Sequence, residues 1–315
     1  MDKVLVTGAT GFIGKELVKK LTEEKKYEIH TLERYVTGRY KMDESGIKKH
    51  YATLTDFVTV KKIIRKLQPN YVIHTAAISP VAFSYDNYME VNETNYLGTI
   101  NLAEACHREV QNFKQFIMSG TSEEYGMTLK SDKEKLTEDS ILHPNSPYAV
   151  SKVAADYYLN YMHEAYNFPS TIIRPFNTYG RSDNNHFFIE RTINQMLGGK
   201  EVTLGDPSAV RDWIYMDDHV DGYIKALGNK NAIGQTIQLA SGKGYTTKQT
   251  AQIIAKLTNF KGKIKWNATQ RRPLDAKILI GDNRKAAKLI NWKPKHSLEE
   301  GLKKTIAHWN KKNHS

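Results

Sequence analysis

The 315-residue chain has a single cysteine, Cys106, which excludes a disulfide framework and a thiolate zinc site. Cys106 lies in the helix-like run Asn101-Leu102-Ala103-Glu104-Ala105-Cys106, so it reads as a small buried hydrophobe rather than a nucleophile. Eleven histidines show no metal-ligand spacing, and no metal is expected. No apolar run approaches the roughly 18 residues of a membrane helix. The opening Met1-Asp2-Lys3-Val4-Leu5-Val6 has no basic leader and long apolar core, which predicts a cytoplasmic protein with no membrane partner. Internal repeats and low-complexity segments are also missing. With 40% hydrophobic and 25% charged residues, the composition excludes collagen, coiled coil and intrinsic disorder. Lys and Arg number 46 against 34 Asp and Glu, a formal charge of +12. These cations are scattered along the chain, without a basic-region helix or aromatic-interleaved RNA motif, so no nucleic-acid partner is expected and a few arginines remain for phosphates.

What is present is rhythm. Strand-like runs at Lys3–Thr7, Glu28–Leu32, Tyr71–His74, Gln115–Met118 and Ser170–Ile173 alternate with amphipathic stretches at Gly14–Glu23, Thr59–Leu67, Asn95–Glu109 and Pro147–Tyr166. This alternation predicts an α/β fold with a doubly wound parallel sheet, whose ligands sit at the carboxyl ends of the strands. After Gly180 glycine pairs punctuate shorter elements, with helices over Thr247–Leu257 and Leu298–Trp309. The division expected is a nucleotide-binding domain over 1–178 and a smaller α/β substrate-binding domain over 179–315, with segments around 210–240 returning to the first.

The first strand ends in Thr7-Gly8-Ala9-Thr10-Gly11-Phe12-Ile13-Gly14, and a helix follows. Glycines at 8, 11 and 14 permit a tight turn, close backbone approach to a pyrophosphate and close helix–strand packing, with the helix N–H groups facing the phosphates. The position between first strand and first helix makes this a dinucleotide (Rossmann) site. An acidic residue ending the second strand should take the adenosine ribose, and Glu33 fits NAD. Arg34 follows and Arg39 is near, either suited to the 2′-phosphate of NADP instead.

The chain's one Tyr-x-x-x-Lys, Tyr148-Ala149-Val150-Ser151-Lys152, puts a phenol and an ammonium one helical turn apart. A phenol of pKa near 10 is a poor base at neutral pH unless a cation stabilises its anion.

Together with His74-Thr75-Ala76-Ala77, Asn95-x-x-Gly98-Thr99, Thr121-Ser122-Glu123, Arg174-Pro175-Phe176-Asn177 and Arg211-Asp212-Trp213, these motifs run in order along the chain. It resembles the nucleotide-sugar epimerases and dehydratases of the extended short-chain dehydrogenase/reductase family over essentially its whole length. The resemblance implies that Tyr148 removes the sugar C4 hydroxyl proton, that Lys152 binds the nicotinamide ribose and lowers the tyrosine pKa, and that Thr121 hydrogen-bonds the C4 oxygen. It implies cofactor contacts at Phe12, Ile13, Leu54, Ala76, Ala77, Ser79 and Asn95 as well. Substrate contacts follow at Asn177, His186, Phe187, Arg211 and Arg272, the arginines for the diphosphate. Thr53 stands where the family usually has an aspartate near the adenine. Family members usually pair through two helices per subunit, here those starting near Asn95 and Pro147, which implies a homodimer.

Glu123 turns the reading toward one reaction. An epimerase needs only hydroxyl, tyrosine and cofactor, whereas a carboxylate adds an acid/base group beside the sugar. Once C4 is a ketone the C5 proton is acidic, so a carboxylate can remove it as the C6 hydroxyl leaves, and hydride returned to C6 gives a 4-keto-6-deoxy sugar. Thr121-Ser122-Glu123 thus resembles the 4,6-dehydratases. Ser122 is closer to the GDP-mannose enzymes, while His186-Phe187 leans to those for dTDP-glucose. UDP-glucuronate decarboxylases share the triplet and C4-epimerases share the rest, so both remain as alternatives to a nucleotide-sugar 4,6-dehydratase.

Overall fold

The computed structural model describes residues 1–34, 46–129, 131–199, 201–267 and 273–313. Through residue 175 strands and helices alternate: β1 (Lys3–Thr7), α1 (Phe12–Glu24), β2 (Glu28–Glu33), β3 (Ile47–Tyr51), α2 (Phe57–Leu67), β4 (Tyr71–His74), α3 (Val81–Asp86), α4 (Tyr88–Asn92), α5 (Gly98–Glu109), β5 (Gln115–Ser119), α6 (Pro147–Tyr166) and β6 (Ser170–Pro175). Then come β7 (Asn177–Tyr179), α7 (Phe188–Gly198), β8 (Glu201–Leu204), β9 (Val210–Tyr215), α8 (Met216–Ala226), β10 (Gln235–Leu239), β11 (Gly244–Thr246), α9 (Thr247–Leu257), β12 (Lys263–Trp266), β13 (Ile278–Leu279), α10 (Arg284–Ile290) and α11 (Leu298–Asn313).

Seven strands form one parallel sheet in the order β10-β6-β5-β4-β1-β2-β3. Its central strands are buried along their length because helices cover both faces. Val4, Val6, Ile73 and Ile117 face one core with α1, α8 and α10, and Leu5, Val72, Phe116 and Met118 face the other with α2, α5 and α6. Cys106 is fully buried in the second core, as a small hydrophobe. The edge strand β3, Ile47-Lys48-Lys49-His50-Tyr51, is polar and half-exposed, and it carries no apolar signature. β10 extends the sheet beyond β6 from late in the sequence, and α10 with Trp292 closes the first core from later still.

The remaining strands make a small sheet, β11-β9-β13 with β7 paired to β9, and a two-stranded ribbon of β8 and β12. Ile193, Trp213, Ile254, Leu302 and Trp309 form their core with α7, α9 and α11. Among the described residues, no helix is long and apolar enough to cross a membrane.

The order reverses between β1 and β4, whose chains leave in opposite directions and open a crevice at their carboxyl ends. Asn95 ties that region together. The helix expected from Asn95 begins at Gly98 and is preceded by a wide π-type turn over Glu93–Leu97. From this turn the buried Asn95 amide accepts from the Ile78 N–H (2.8 Å) and donates to the Ile78 carbonyl and the Ser151 hydroxyl (3.1 Å each). Asn95→Ala strands these partners and should lower unfolding stability by about 1–3 kcal/mol; an unchanged urea midpoint would contradict that role.

Candidate active site

A cavity of about 1230 Å³ opens at the carboxyl ends of the sheet and is walled on its far side by the second half of the chain. That exceeds the roughly 300–1,000 Å³ of a single ligand pocket and suits two ligands side by side. The residues anticipated from sequence that line it are Gly8, Gly11, Phe12, Ile13, Gly14, Arg34, Ala77, Ser79, Thr121, Ser122, Glu123, Tyr148, Lys152, Asn177, His186, Phe187 and Arg211. Glu33, Leu54, Ala76 and Asn95 are not on its wall. Glu33 is buried at the end of β2 and accepts from the Thr31 hydroxyl (2.8 Å). Leu54 packs beneath Gly98, and Ala76 against Gly8. Arg272, with Arg271 and Arg39, lies outside the described residues.

The glycine turn is as close-packed as its spacing implies. Gly8 has φ +71°, where a side chain is strained, and a Cβ there would sit 2.6 Å from the Ala76 nitrogen. A Cβ on Gly14 would sit 2.0 Å from the Gly8 carbonyl oxygen. Gly11 to Gly14, the N-terminal end of α1, lie on the cavity wall.

Behind the turn runs a buried hydrogen-bonded relay. The Ala76 N–H donates to the Thr7 hydroxyl (3.3 Å), which meets His74 Nδ1 (2.6 Å). His74 Nε2 meets the Thr99 hydroxyl (2.9 Å), which donates to the Asn95 carbonyl (2.6 Å). Because the Thr99 proton is committed, Nε2 donates to Thr99 and Nδ1 accepts from Thr7. His74 is accordingly neutral, pushed down to about 3 by burial and by the Lys152 cation.

Tyr148 and Lys152 stand on the first turns of α6, which begins with Pro147 and is capped by Ser146 accepting from the Ala149 N–H (3.2 Å). Lys152 is 1% exposed and donates to the Ser119 carbonyl (2.8 Å). Burial pushes its ammonium down to about 8, against the pull of Glu124. Burial raises the Tyr148 phenol, the Thr121 hydroxyl lowers it, and Glu124 and Glu123 raise it further. Thr121 caps a single 3₁₀ turn, Ser122–Glu124: its hydroxyl accepts from the Glu123 N–H (3.2 Å) while Glu124 Oε1 accepts from the Thr121 N–H (2.8 Å). This reciprocal cap sets the Thr121 hydroxyl and the Glu123 carboxylate on the same wall as Tyr148.

Directly beneath is a cluster that sequence reasoning missed. Arg174 lies 2.8 Å from Glu124 Oε2 and 2.7 Å from Asp156 Oδ2, and donates to the Tyr125 hydroxyl (2.8 Å). Arg174 was visible only as part of a motif, and nothing local in sequence joins residues 124, 156 and 174. Two buried carboxylates thus share one cation, and burial together with Asp156 raises the Glu124 carboxyl.

On the opposite wall Arg211 pairs with Asp275 (3.1 Å) and donates to the Val210 carbonyl (3.0 Å). The Asn177 Oδ1 is buried with no hydrogen bond among the described residues. His186 and Phe187 lie on the loop between β7 and α7.

Residues 5–305 match the protein family described as GDP-mannose 4,6 dehydratase. The chain belongs to the nucleotide-sugar epimerase and dehydratase group of the extended short-chain dehydrogenases/reductases. It is 31% identical to UDP-glucuronate 4-epimerase of Thermodesulfobacterium geofontis, over 99% of this chain and 97% of that protein. It is 27% identical to dTDP-glucose 4,6-dehydratase of Haemophilus influenzae, over 97% of each. The crystal structure of Thermus thermophilus UDP-glucose 4-epimerase in complex with NAD superposes with TM-score 0.88 at 27% identity, over 98% of this chain and 99% of that one. Epimerases and dehydratases thus stand at similar distances, and this member of the group is a nucleotide-sugar enzyme of one kind or the other.

The shared cation gives a pH prediction. In the unfolded chain the Glu124 carboxyl has an ordinary pKa near 4.3, while in the fold it is raised to about 8. The native state then holds an extra proton across that window, and stability from this group is present below it and lost as pH rises through it. Relative to wild type, Glu124→Gln should gain stability progressively from pH 5 to 8 and level off above, measured by urea denaturation at each pH. A pH-independent difference would show that Glu124 is ionised throughout.

Proposed function

We propose that this enzyme is an NAD-dependent nucleotide-sugar 4,6-dehydratase, converting an NDP-hexose to the NDP-4-keto-6-deoxyhexose. The observation that carries the reading is the Glu123 carboxylate on the same cavity wall as Thr121 and Tyr148. Epimerisation at C4 has no use for a second acid/base group there.

The cofactor side fits a dinucleotide. The glycine turn packs its backbone too closely for a Cβ at Gly8 or Gly14, and it lies on the cavity wall at the start of α1, where a helix N-terminus suits a diphosphate. Gly8 to Gly14, Ala77, Ser79, Tyr148 and Lys152 would hold NAD. Bound there, NAD supplies hydride acceptance from C4 and its return to C6.

The protein's own groups do the rest. Tyr148 Oη takes the C4 hydroxyl proton, with Thr121 hydrogen-bonding the same oxygen. Burial is the main force that keeps the phenol protonated at rest, and the Lys152 ammonium one turn away favours its anion. With C4 a ketone, Glu123 removes the C5 proton and delivers it to the departing C6 hydroxyl, which leaves as water; as hydride enters C6 a proton returns to C5, balanced by the one Tyr148 took from the C4 hydroxyl. Ser122 supplies no second carboxylate, so Glu123 serves as base and acid in turn. Asn177, Arg211 and the His186-Phe187 loop hold the nucleotide sugar, joined by Arg272.

The decisive measurement is product mass after incubation with UDP-, dTDP-, GDP- and CDP-hexoses and NAD. A product lighter by one water is expected; unchanged mass with a new retention time would make the enzyme a C4-epimerase. Tyr148→Phe should abolish turnover. Glu123→Gln should keep C4 oxidation and lose dehydration by about 10²–10⁴-fold; full dehydration by that variant would remove Glu123 from the chemistry.

We also propose that the enzyme is a homodimer through α5 and α6. Leu97 (46% exposed), Val150 (48%), Tyr157 (61%) and Tyr161 (49%) give these helices and the turn before α5 an apolar outer surface. Light scattering at micromolar concentration should give twice the 36.0 kDa chain mass; the monomer mass would refute it.

A further inference from the structure

One cation of the cavity is used by neither the motifs nor the chemistry above. Arg181 opens the loop between β7 and α7 and lines the cavity with 12% of its side-chain surface exposed. Its guanidinium carbon lies 4.4 Å from the centre of the Phe12 ring and 3.6 Å from that of Phe187. Phe12 is the first residue of α1, directly after Gly11 at the open N–H groups of the turn. The guanidinium therefore rests against the residue that marks the diphosphate end of the dinucleotide site, although it comes from the other half of the chain.

Its hydrogen bonding is incomplete. Nη1 donates to the Thr178 carbonyl (2.5 Å) and lies 3.4 Å from Glu190 Oε1. That oxygen already accepts from the backbone N–H groups of Gly180 (2.9 Å) and Arg181 (3.0 Å), so Glu190 mainly shapes the chain. Nε and Nη2 make no hydrogen bond among the described residues. The loop that carries them is held from outside: Trp309 Nε1 donates to the Arg181 carbonyl (2.9 Å), Lys312 reaches the Ser182 carbonyl (3.2 Å) and Lys15 reaches the Ser182 hydroxyl (3.1 Å). A rigid, weakly hydrated planar cation packed on aromatic rings, with donors left toward a cavity, is suited to a phosphate-bearing ligand.

We propose that Arg181 is a diphosphate-binding residue, adding to the glycine turn a cationic donor from the second half of the chain. The proposal rests on the dinucleotide reading above, and its expected ligand is the cofactor diphosphate beside Phe12. The diphosphate of the nucleotide sugar is the other source of the same chemistry.

The test is calorimetric titration of wild type, Arg181→Gln and Arg181→Lys with NADH and, separately, with UDP, together with NAD retained per subunit after gel filtration. Gln keeps much of the packing against Phe12 and Phe187 but removes the cation; Lys keeps the charge without the fork. Arg181→Gln is expected to weaken NADH binding about 10- to 100-fold and to lose retained NAD, with Arg181→Lys intermediate. Weaker UDP binding with NADH unchanged supports diphosphate binding but moves the contact to the substrate. Unchanged affinity for both ligands overturns the proposal and leaves Arg181 as a packing residue. Should Arg181→Gln fail to fold, Arg181→Lys with wild-type affinity for both overturns it equally. If wild-type enzyme binds no NADH, the cofactor reading fails, which is a separate result.

Discussion

Everything at this site depends on how the gap between β1 and β4 is closed from behind. The crevice that admits ligands is also a place where backbone and side-chain polar groups lose their sheet partners. The relay from Ala76 through Thr7, His74 and Thr99 to Asn95 satisfies them without water. Asn95 passes the connection on to Ser151, whose hydroxyl donates to the Tyr148 carbonyl (2.7 Å). One continuous chain of buried bonds therefore fixes the glycine turn, the loop after β4 and the first turn of α6 relative to one another. It works only with His74 neutral, and the neighbouring Lys152 cation reinforces that state.

The second constraint is charge. Tyr148 and Lys152 sit above a buried arginine shared by two carboxylates, one of which, Glu124, burial keeps protonated through neutral pH. Burial, more than any neighbouring charge, opposes both the Tyr148 phenolate and the Lys152 ammonium. The protein on its own thus holds Tyr148 at rest.

Much of this was legible because the chemistry lies at strand ends, where motif and element coincide. Gly8, Gly11 and Gly14 had to follow β1, and Tyr148 with Lys152 had to open α6; the cavity collects them with Thr121, Glu123 and Asn177. Asn95 was visible as a motif, but its place behind the wall was not, since its partners Ile78 and Ser151 are distant in sequence. The Arg174 cluster escaped for the same reason. So did Arg181, whose meaning comes from Phe12 at the start of α1, far away in sequence, as well as from Phe187 on its own loop. In the fold, β3 was hidden by its lysines and histidine at an exposed edge, where burial imposes no apolar pattern. α10 and Trp292, beyond the segments around 210–240 expected to return, were hidden because a return to an earlier core leaves no local trace.

That return has an evolutionary consequence. Trp292 is wholly buried in the core shared by α1 and α8, and its indole N–H donates to the Asp218 carbonyl (2.9 Å). The chain therefore passes from the nucleotide-holding sheet to the substrate side and back more than once before it ends. The second half cannot be exchanged at a single junction, because any such cut removes part of the first core. Change that spares the core is confined to loops on the cavity wall, such as the one bearing His186 and Phe187, with the strands that carry them left in place.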